Sequence, residues 1–246
     1  MTSKKRLKVN KPFKVPNRKH RVFKIVKWVF RKFIGKYEII NEAGNIPEKC
    51  LLVGNHAGKK GPFHYELYLP VYHAKWGAHE MLEGYVSRYK YLRNVLYIQK
   101  LGFKKSKATR KALLEAIFSK RIYRGMKIMG TYPDARIMNT IRDSITALDA
   151  NMALMIYPED STNGYDDTPK KFLPGFSFIA ERYFKLRGED LPVYSVYISV
   201  PQKKIIIGRE PTYINALKAE GMNREEIAEK LRVSVNDLYY KYIEDK

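Results

Sequence analysis

The feature that most constrains the fold is an apolar segment that ends abruptly in polar residues, and the chain contains it twice. Residues 50–54 (CLLVG) lead into Asn55 and His56, and a small basic turn follows (AGKKGP). Further along, residues 152–157 (MALMIY) lead into PEDSTNG. Short apolar runs of this kind are typical of buried strands, and in α/β sheets reactive groups sit at the carboxyl ends of strands. The sequence therefore predicts a scaffold that brings these two strand ends together.

Strand-like and helix-like segments alternate along the rest of the chain. This alternation predicts an α/β fold with a largely parallel mixed sheet flanked by helices on both faces. The segment 76–102, rich in Tyr, Trp and Arg, gives no clear prediction. No internal repeat or interdomain linker is evident, so we expect one domain over residues 37–246. The predicted strands lie within 37–54 and at 126–129, 152–157, 193–200 and 204–207, and the predicted helices at 65–72, 108–118, 136–148 and 176–184.

The two strand ends resemble motifs of a known family. NH at 55–56, followed by a Gly-Pro turn, is similar to the NH-x4-D motif of the glycerolipid (1-acylglycerol-3-phosphate) acyltransferases. YPEDST at 157–162 resembles their FPEGTRS motif, and KFLPG at 171–175 resembles the FKxG that follows it. Residues 191–211 resemble the last block of the family. The resemblance implies a glycerol-phosphate acyltransferase-like fold and transfer of a fatty acyl group from a thioester to a hydroxyl of a lysophospholipid or related glycerolipid.

The resemblance also implies roles for individual residues. His56 would act as the general base, and its imidazole suits this role because it titrates near neutral pH. The aspartate of the family motif corresponds to Gly61, so we expect Glu66 to orient His56 instead, with Glu80 and Asp160 as alternatives. Other residues would hold the acceptor and its phosphate through hydrogen bonds and positive charge. These predicted substrate-binding residues are Asn55, Lys59, Lys60, Arg136, Glu159, Asp160, Ser161, Thr162 and Lys171.

Three further positions depart from the family pattern. Asp160 replaces the glycine of the FPEGTRS motif, Thr162 falls on its arginine, and Thr131 stands where the second motif has an arginine. Together with Gly61, these replacements leave a second interpretation open, a lipid-binding relative without catalytic activity.

The charge of the chain predicts an anionic partner. The formal net charge is +22, which favours an acidic membrane surface or nucleic acid. Residues 1–18 form a basic tail that we expect to be mobile. Residues 19–34 have the pattern of an amphipathic helix in which aromatic and basic residues alternate, as in helices at a membrane interface. We therefore expect residues 1–36 to contact the membrane, with no spanning helix, on the cytoplasmic face of the cell membrane. The predicted contacts are Phe23, Lys24, Lys27, Trp28, Phe30 and Arg31.

The C-terminal segment offers a competing interpretation. Residues 223–242 have a pattern similar to a helix-turn-helix, which would indicate DNA binding. The predicted recognition half, residues 236–242, is acidic or aromatic and contains only Lys241 as a basic residue. A terminal amphipathic helix explains the same residues more simply, so we do not expect a nucleic-acid partner.

Cysteine usage and the absence of certain motifs limit the remaining chemistry. The single cysteine, Cys50, excludes an internal disulfide and suits a reducing cytosol. No glycine-rich phosphate loop and no metal-ligand spacing is present, so we expect no bound metal or cofactor. The resemblance implies acyl-CoA or acyl carrier protein as the thioester co-substrate, and the sequence does not distinguish between the two.

Overall fold

The structure is a computed structural model that describes residues 14–15 and 21–244, without the side chains of residues 21 and 22. The predicted basic tail therefore lies outside the described residues except for residues 14 and 15. The elements, in chain order, are α1 (Arg21–Ile34), β1 (Glu38–Asn41), β2 (Leu51–Gly54), α2 (Gly61–Tyr68), β3 (His73–Ala78), α3 (Tyr85–Lys90), α4 (Lys105–Gly125), β4 (Ile128–Thr131), α5 (Ile137–Asp149), β5 (Ala153–Ile156), α6 (Ser177–Arg187), β6 (Pro192–Ser199), β7 (Lys204–Ile207), β8 (Thr212–Tyr213), α7 (Ile214–Ala219) and α8 (Arg224–Tyr239).

The strands form one mixed sheet in the order β1-β7-β6-β2-β5-β3-β4, and β8 pairs with β6. β6 runs antiparallel to β7 and β8, whereas the other neighbouring pairs are parallel. β2 lies inside the sheet, where Leu51 is in register with Leu154 of β5 and Val193 of β6. The predicted α/β fold, a largely parallel sheet flanked by helices, is confirmed.

Both faces of the central strands are buried, which explains why their sequences are continuously apolar. Because successive side chains of a strand point to opposite faces, Leu51 and Leu154 belong to the core cluster that includes α5, α6 and α8. Leu52 and Met155 belong to the cluster on the other face, which includes Tyr65 of α2. Burial of each such side chain contributes about 1.5–3 kcal/mol, so the packing holds the carboxyl ends of β2 and β5 in fixed positions.

β3 and α2 differ from the sequence predictions, and β8 and α7 were not predicted either. β3 was not predicted, and α2 begins at Gly61 rather than at Tyr65 because Pro62 occupies its first turn, where a missing N–H is tolerated. β3 does not show an apolar pattern because its first and third residues, His73 and Lys75, are polar although both are buried. A buried strand with these residues carries no apolar run.

The competing helix-turn-helix interpretation is wrong, and the simpler prediction of a terminal amphipathic helix is confirmed. Residues 224–239 form the single continuous helix α8, which begins with a capping box between Asn223 and Glu226. Ile227, Leu231 and Val235 repeat every four residues and pack into the core beneath the sheet. The segment therefore contains no turn and no separate recognition helix.

Candidate active site

His56 follows β2 directly, and the turn after it holds its ring. Ala57 and Gly58 both adopt left-handed backbone conformations, with φ of 47° and 64°. This turn places the carbonyl oxygen of Gly58 at 2.7 Å from Nδ1 of His56. Because a carbonyl oxygen only accepts hydrogen bonds, Nδ1 carries the proton and Nε2 keeps its lone pair. This is the tautomer that a general base acting through Nε2 requires.

The backbone around His56 also explains why residue 61 is a glycine. A Cβ atom at Gly61 would lie 2.0 Å from the carbonyl oxygen of His56 and 3.1 Å from the Cβ of Ala57. No side chain fits there without displacing the turn, so an aspartate at this position would destabilise it. The Gly58 carbonyl instead holds Nδ1 of His56.

The prediction that Glu66 orients His56 is wrong. Helix α2 places the Glu66 carboxylate among Lys75, Lys127 and Lys27 rather than at the end of β2. Glu66 and Lys75 are both buried, and the Nζ of Lys127 lies 2.9 Å from the Glu66 carboxylate. Burial alone would raise the pKa of Glu66, but the neighbouring positive charges, Lys75 first, hold it well below its usual range.

The two alternative partners of His56 are also engaged elsewhere. Glu80 lies 3.3 Å from Nδ1 of His79. The Asp160 carboxylate accepts hydrogen bonds from the backbone and hydroxyl groups of Thr162. Nδ1 of His56 therefore has a backbone partner, not a carboxylate.

Glu159 links the two strand ends. It follows β5, is buried, and its Oε2 accepts a hydrogen bond of 3.0 Å from the backbone N–H of His56. Burial raises the pKa of Glu159, and this N–H partly opposes the shift by stabilising the carboxylate. The ends of the adjacent parallel strands β2 and β5 are therefore joined directly, as the sequence predicted.

Aromatic rings enclose the imidazole. The His56 ring stacks on Tyr165, with ring centres 4.8 Å apart, and contacts the edge of Tyr157 at 5.2 Å. Burial lowers the pKa of His56 to about 4; the bond to Gly58 opposes this shift, and the positive charge of Lys100 adds to it. The imidazole is therefore neutral at physiological pH.

Sequence reasoning missed Lys100 and Tyr165. Lys100 donates a 2.6 Å hydrogen bond to the hydroxyl of Ser161, and its Nζ lies 5.4 Å from the centre of the Tyr165 ring. Lys100 ends a wide helical turn, Tyr91–Lys100, in the segment that gave no clear prediction. No sequence signal marked it, because its position depends on how that turn packs against the loop after β5.

The predicted substrate-binding residues divide into two groups. Lys60, like His56, lines the cavity described below, and Lys59 lies in its wall in an ion pair with Glu115. Ser161 lies beside Lys100 in the same loop as Glu159. The structure therefore brings these residues to the region around His56.

Other predicted substrate-binding residues are directed elsewhere. Asn55 is buried, and its amide exchanges hydrogen bonds of 2.9 and 3.0 Å with the backbone of Ile198, so it joins β2 to β6 instead of facing a ligand. Arg136 forms an ion pair with Asp134 after β4, three strands from β2 in the sheet. Lys171 is exposed, and its carbonyl accepts a 3.0 Å hydrogen bond from the backbone of Asp160.

A largely apolar cavity of about 450 Å³ adjoins His56. This volume lies within the range of ligand pockets in proteins, about 300–1,000 Å³. The cavity passes the ends of β2 and β3 and reaches α1 and α4, so it joins the candidate base to two outer helices. Its apolar lining includes Phe30, Phe63, Trp76, Tyr91, Leu96, Phe118, Ile122, Tyr123, Met126, Ile128, Tyr157 and Tyr165.

Half of the predicted membrane contacts on α1 face the protein. Phe23 packs against the C-terminal end of α4, and Arg31 donates to a backbone carbonyl of α2. Lys27 forms its ion pair with the buried Glu66. Contact of the remaining three with a membrane stays a prediction. Lys24, Trp28 and Phe30 are exposed, as is Arg31, and Phe30 also packs on the Phe63 ring of α2.

The described residues contain no evident metal-binding cluster and one buried thiol. Residues 14–15 and 21–244 contain no group of three or more His, Cys, Asp or Glu side chains that could hold a metal ion. Burial raises the pKa of the Cys50 thiol to about 12, which makes it unreactive. In the same part of the chain, no helix combines the length and apolar character needed to cross a bilayer.

Comparisons with known proteins give one informative similarity. No protein-family model and no curated protein matches the sequence. The structure is similar to the crystal structure of the 1-acyl-sn-glycerophosphate (LPA) acyltransferase PlsC from Thermotoga maritima, with a TM-score of 0.51. The alignment has 14% sequence identity and covers 90% of this chain and 80% of the other. At this identity the similarity shows a shared fold, which is the acyltransferase-like α/β fold predicted from the sequence.

Proposed function

We propose that this protein is an acyltransferase that moves a fatty acyl group from a thioester to a hydroxyl of a lysophospholipid or related glycerolipid. The observation that carries the proposal is the geometry of His56. Its Nδ1 is held by the Gly58 carbonyl, its Nε2 is unprotonated, and its ring borders a largely apolar cavity. The shared fold with an acyltransferase supports the same class of reaction.

In the proposed reaction, Nε2 of His56 accepts the proton of the acceptor hydroxyl while the hydroxyl oxygen attacks the thioester carbonyl carbon. The carbon–sulfur bond then breaks, and the thiolate that leaves takes the proton back from the imidazolium. General-base catalysis of this kind typically contributes about 10²–10⁴-fold. The Gly58 carbonyl keeps the ring in the correct tautomer and stabilises the proton on Nδ1.

This arrangement makes His56 a weak base. A neutral carbonyl stabilises the imidazolium less than a carboxylate does, and burial lowers the pKa of His56 to about 4. A base is most effective when its pKa lies near the working pH. We therefore expect slow turnover, unless binding of the acceptor raises this pKa.

The substrate groups fit different parts of the site. The apolar cavity suits the acyl chain, because it removes a large hydrocarbon surface from water. Lys100 and Ser161 suit an acceptor phosphate, with Lys60 as a second exposed cation near His56. The Glu159 carboxylate, which already accepts a hydrogen bond from the backbone N–H of His56, would accept a second one from a hydroxyl of the glycerol rather than contact the phosphate.

The partners and location belong to the same proposal. The co-substrate is a thioester of coenzyme A or of acyl carrier protein, with no resident cofactor. The net charge of +22 and the exposed Trp28 and Phe30 of α1 support peripheral binding to an anionic membrane surface, on its cytoplasmic side.

The second candidate is a lipid-binding protein without catalytic activity. It is favoured by the same observation that weakens the base, the absence of a carboxylate on Nδ1 of His56. Loss of the orienting carboxylate from a histidine pair can reduce the rate by about 10⁴. The cavity and its lining are compatible with both candidate functions, acyl transfer and lipid binding.

The deciding experiment measures thioester consumption by the purified protein with labelled acyl-CoA and acyl–acyl carrier protein and a panel of lysophospholipids. His56→Gln is compared with His79→Gln, a histidine that contacts the Thr131 carbonyl at 3.0 Å and does not line the cavity. Turnover lost only in His56→Gln supports the proposal. Equal turnover in both variants contradicts it, and lipid binding by the unmodified protein without any turnover favours the second candidate.

A further inference from the structure

We propose that α4 is a second membrane-binding element, which forms with α1 one surface that inserts into an anionic bilayer around the mouth of the cavity. The contact with the bilayer is inferred from the outer faces of these helices alone. The entry of an acyl chain from the bilayer into the cavity rests on the proposed function.

The first argument is the distribution of side chains around α4. Leu113, Leu114, Ile117 and Phe118 are 44–68% exposed, although each is large and apolar. They recur at helical spacing and share the outward face of the helix. The inward face has small residues, Ala108, Ala112 and Ala116, which are fully buried. A contiguous group of exposed apolar side chains on one helix marks a surface that meets another partner.

The second argument is charge. Exposed basic side chains flank the apolar ones on the same helix, and the one acidic residue of α4, Glu115, already pairs with Lys59. Aromatic and aliphatic residues set among lysines and arginines are typical of helices at the interface of an anionic bilayer. Each such cation near the surface contributes on the order of 1 kcal/mol. The exposed basic residues of α4 include Lys107, Arg110, Lys111, Arg121 and Arg124.

The third argument is continuity with α1. Phe23 of α1 packs on Gly125, so the start of α1 meets the C-terminal end of α4. The outer side of α1 exposes Trp28 by 61% and Phe33 by 85%. Phe30 of α1 and Ile122 of α4 both line the cavity. A bilayer that covers both helices would therefore also cover the opening between them, and an acyl chain would enter without crossing water.

A bilayer explains this surface better than a protein partner. An acidic protein such as an acyl carrier protein would neutralise the cations but would need its own apolar groove for Leu114 and Ile117. A second copy of the chain would bring the same positive charge to the contact, and the repulsion would oppose association. An anionic lipid surface satisfies both the charge and the exposed apolar side chains without needing a matching groove.

The test places an environment-sensitive fluorophore on α4. The unmodified protein has one cysteine, the buried and unreactive Cys50, so a label is directed to Leu114→Cys. The matched control is Met138→Cys, also exposed, on α5, which packs on the opposite face of the sheet from α2. Both proteins are mixed with vesicles of phosphatidylcholine alone and of equimolar phosphatidylcholine and phosphatidylglycerol.

We expect the emission at position 114 to shift to the blue with the anionic vesicles and the emission at position 138 to stay unchanged. The double variant Leu114→Ser/Ile117→Ser should bind these vesicles about tenfold more weakly or worse, because each substitution removes the favourable transfer of an apolar side chain from water into the bilayer. Met138→Ser should bind like the unmodified protein. Neither Leu114 nor Ile117 lines the cavity, so the substitutions leave the pocket intact.

Three results would overturn the inference. They are an unchanged emission at position 114 with vesicles, a shift produced by acyl carrier protein but not by lipid, and a shift that grows with protein concentration alone. The readout is independent of turnover. Vesicle insertion without acyl transfer would leave the inference standing and remove the proposed function, whereas acyl transfer without insertion would do the reverse.

Discussion

At the scale of single residues, the candidate site depends on a short turn that contains two residues in the left-handed conformation. Ala57 and Gly58 turn the backbone so that the Gly58 carbonyl reaches His56. Because residue 61 is a glycine, the His56 carbonyl oxygen can lie only 2.0 Å from where a Cβ of residue 61 would be. Gly61, which stands where the motif that the sequence resembles has an aspartate, thus leaves room for the turn in which the Gly58 carbonyl holds Nδ1.

Gly61→Asp, which introduces the aspartate of the motif that the sequence resembles, should therefore impair the protein. We expect the free energy of unfolding to fall by about 1–3 kcal/mol, as for other overpacked sites, because the new Cβ meets the His56 carbonyl. Turnover should fall as well, since the turn that holds Nδ1 is displaced. Chemical denaturation and thioester assays measure the two effects, with Gly84→Ala as control because no atom lies within 4 Å of its added Cβ. Higher activity in Gly61→Asp would show that an aspartate can replace the carbonyl.

The titration of His56 is a second prediction at this scale. Burial lowers its pKa to about 4, and the charge of Lys100 contributes to the shift. The neutral form should therefore persist as the pH falls through 6.5, the ordinary value, and be lost only near pH 4. The part of the folding stability that depends on this neutral histidine is fully present above pH 6.5 and declines as the pH falls towards 4.

Nitrogen-15 NMR of the imidazole measures this pKa directly, without any assumption about activity. Lys100→Gln should move the pKa of His56 upwards, because removal of a nearby positive charge favours the protonated ring. Lys171→Gln, an exposed cation that does not contribute to the shift at His56, is the matched control. An unchanged pKa in Lys100→Gln would mean that Lys100 does not act on the base.

At the scale of elements, the sequence was sufficient for the strands that carry the motifs and insufficient for what surrounds them. β2 and β5 are continuous apolar runs, so both they and the polar residues at their ends were predictable. β3 was not, because Lys75 is buried in it and is compensated by Glu66 of another element. Lys100 and the Gly58 carbonyl were missed for a similar reason, since tertiary packing and backbone direction leave no trace in composition.

The Glu66 cluster consists of this carboxylate and its ion-pair partners Lys27, Lys75 and Lys127. It predicts that the positions of α1 and β3 depend on one carboxylate. Burial lowers the pKa of Lys75 to about 7, and Glu66 opposes this shift by stabilising the ammonium form. Glu66→Gln removes that partner and leaves buried positive charges uncompensated. We expect the free energy of unfolding to fall by about 3–5 kcal/mol at neutral pH.

Glu115→Gln is the matched control for this experiment, because Glu115 pairs with the more exposed Lys59. Partly exposed pairs of this kind typically contribute about 0–1 kcal/mol. Urea denaturation of both variants measures the difference. The loss in Glu66→Gln should become smaller as the pH rises through 7, because Lys75 of the unmodified protein deprotonates there and no longer gains from Glu66. Equal, small losses in the two variants would show that the cluster does not anchor these elements.

At the scale of the whole molecule, one cavity connects the end of the sheet to the two outer helices. His56 lies in its wall at the end of β2, and Phe30 and Ile122 belong to its outer part on α1 and α4. The fold thus fixes the distance between the candidate base and the outer surface. If the cavity holds the acyl chain, its length sets which chains reach the base with the thioester correctly placed.

Ile122→Trp should shorten this cavity and change chain-length preference rather than chemistry. We expect kcat/KM for long-chain donors to fall by about tenfold or more, while short-chain donors react as before, because a pocket discriminates by roughly 10–200-fold per methylene that does not fit. Ile117→Trp introduces the same side chain on the outward face of α4 and should leave the preference unchanged. An equal loss for donors of every length in Ile122→Trp would place the acyl chain elsewhere, and the cavity would then have to serve the acceptor lipid.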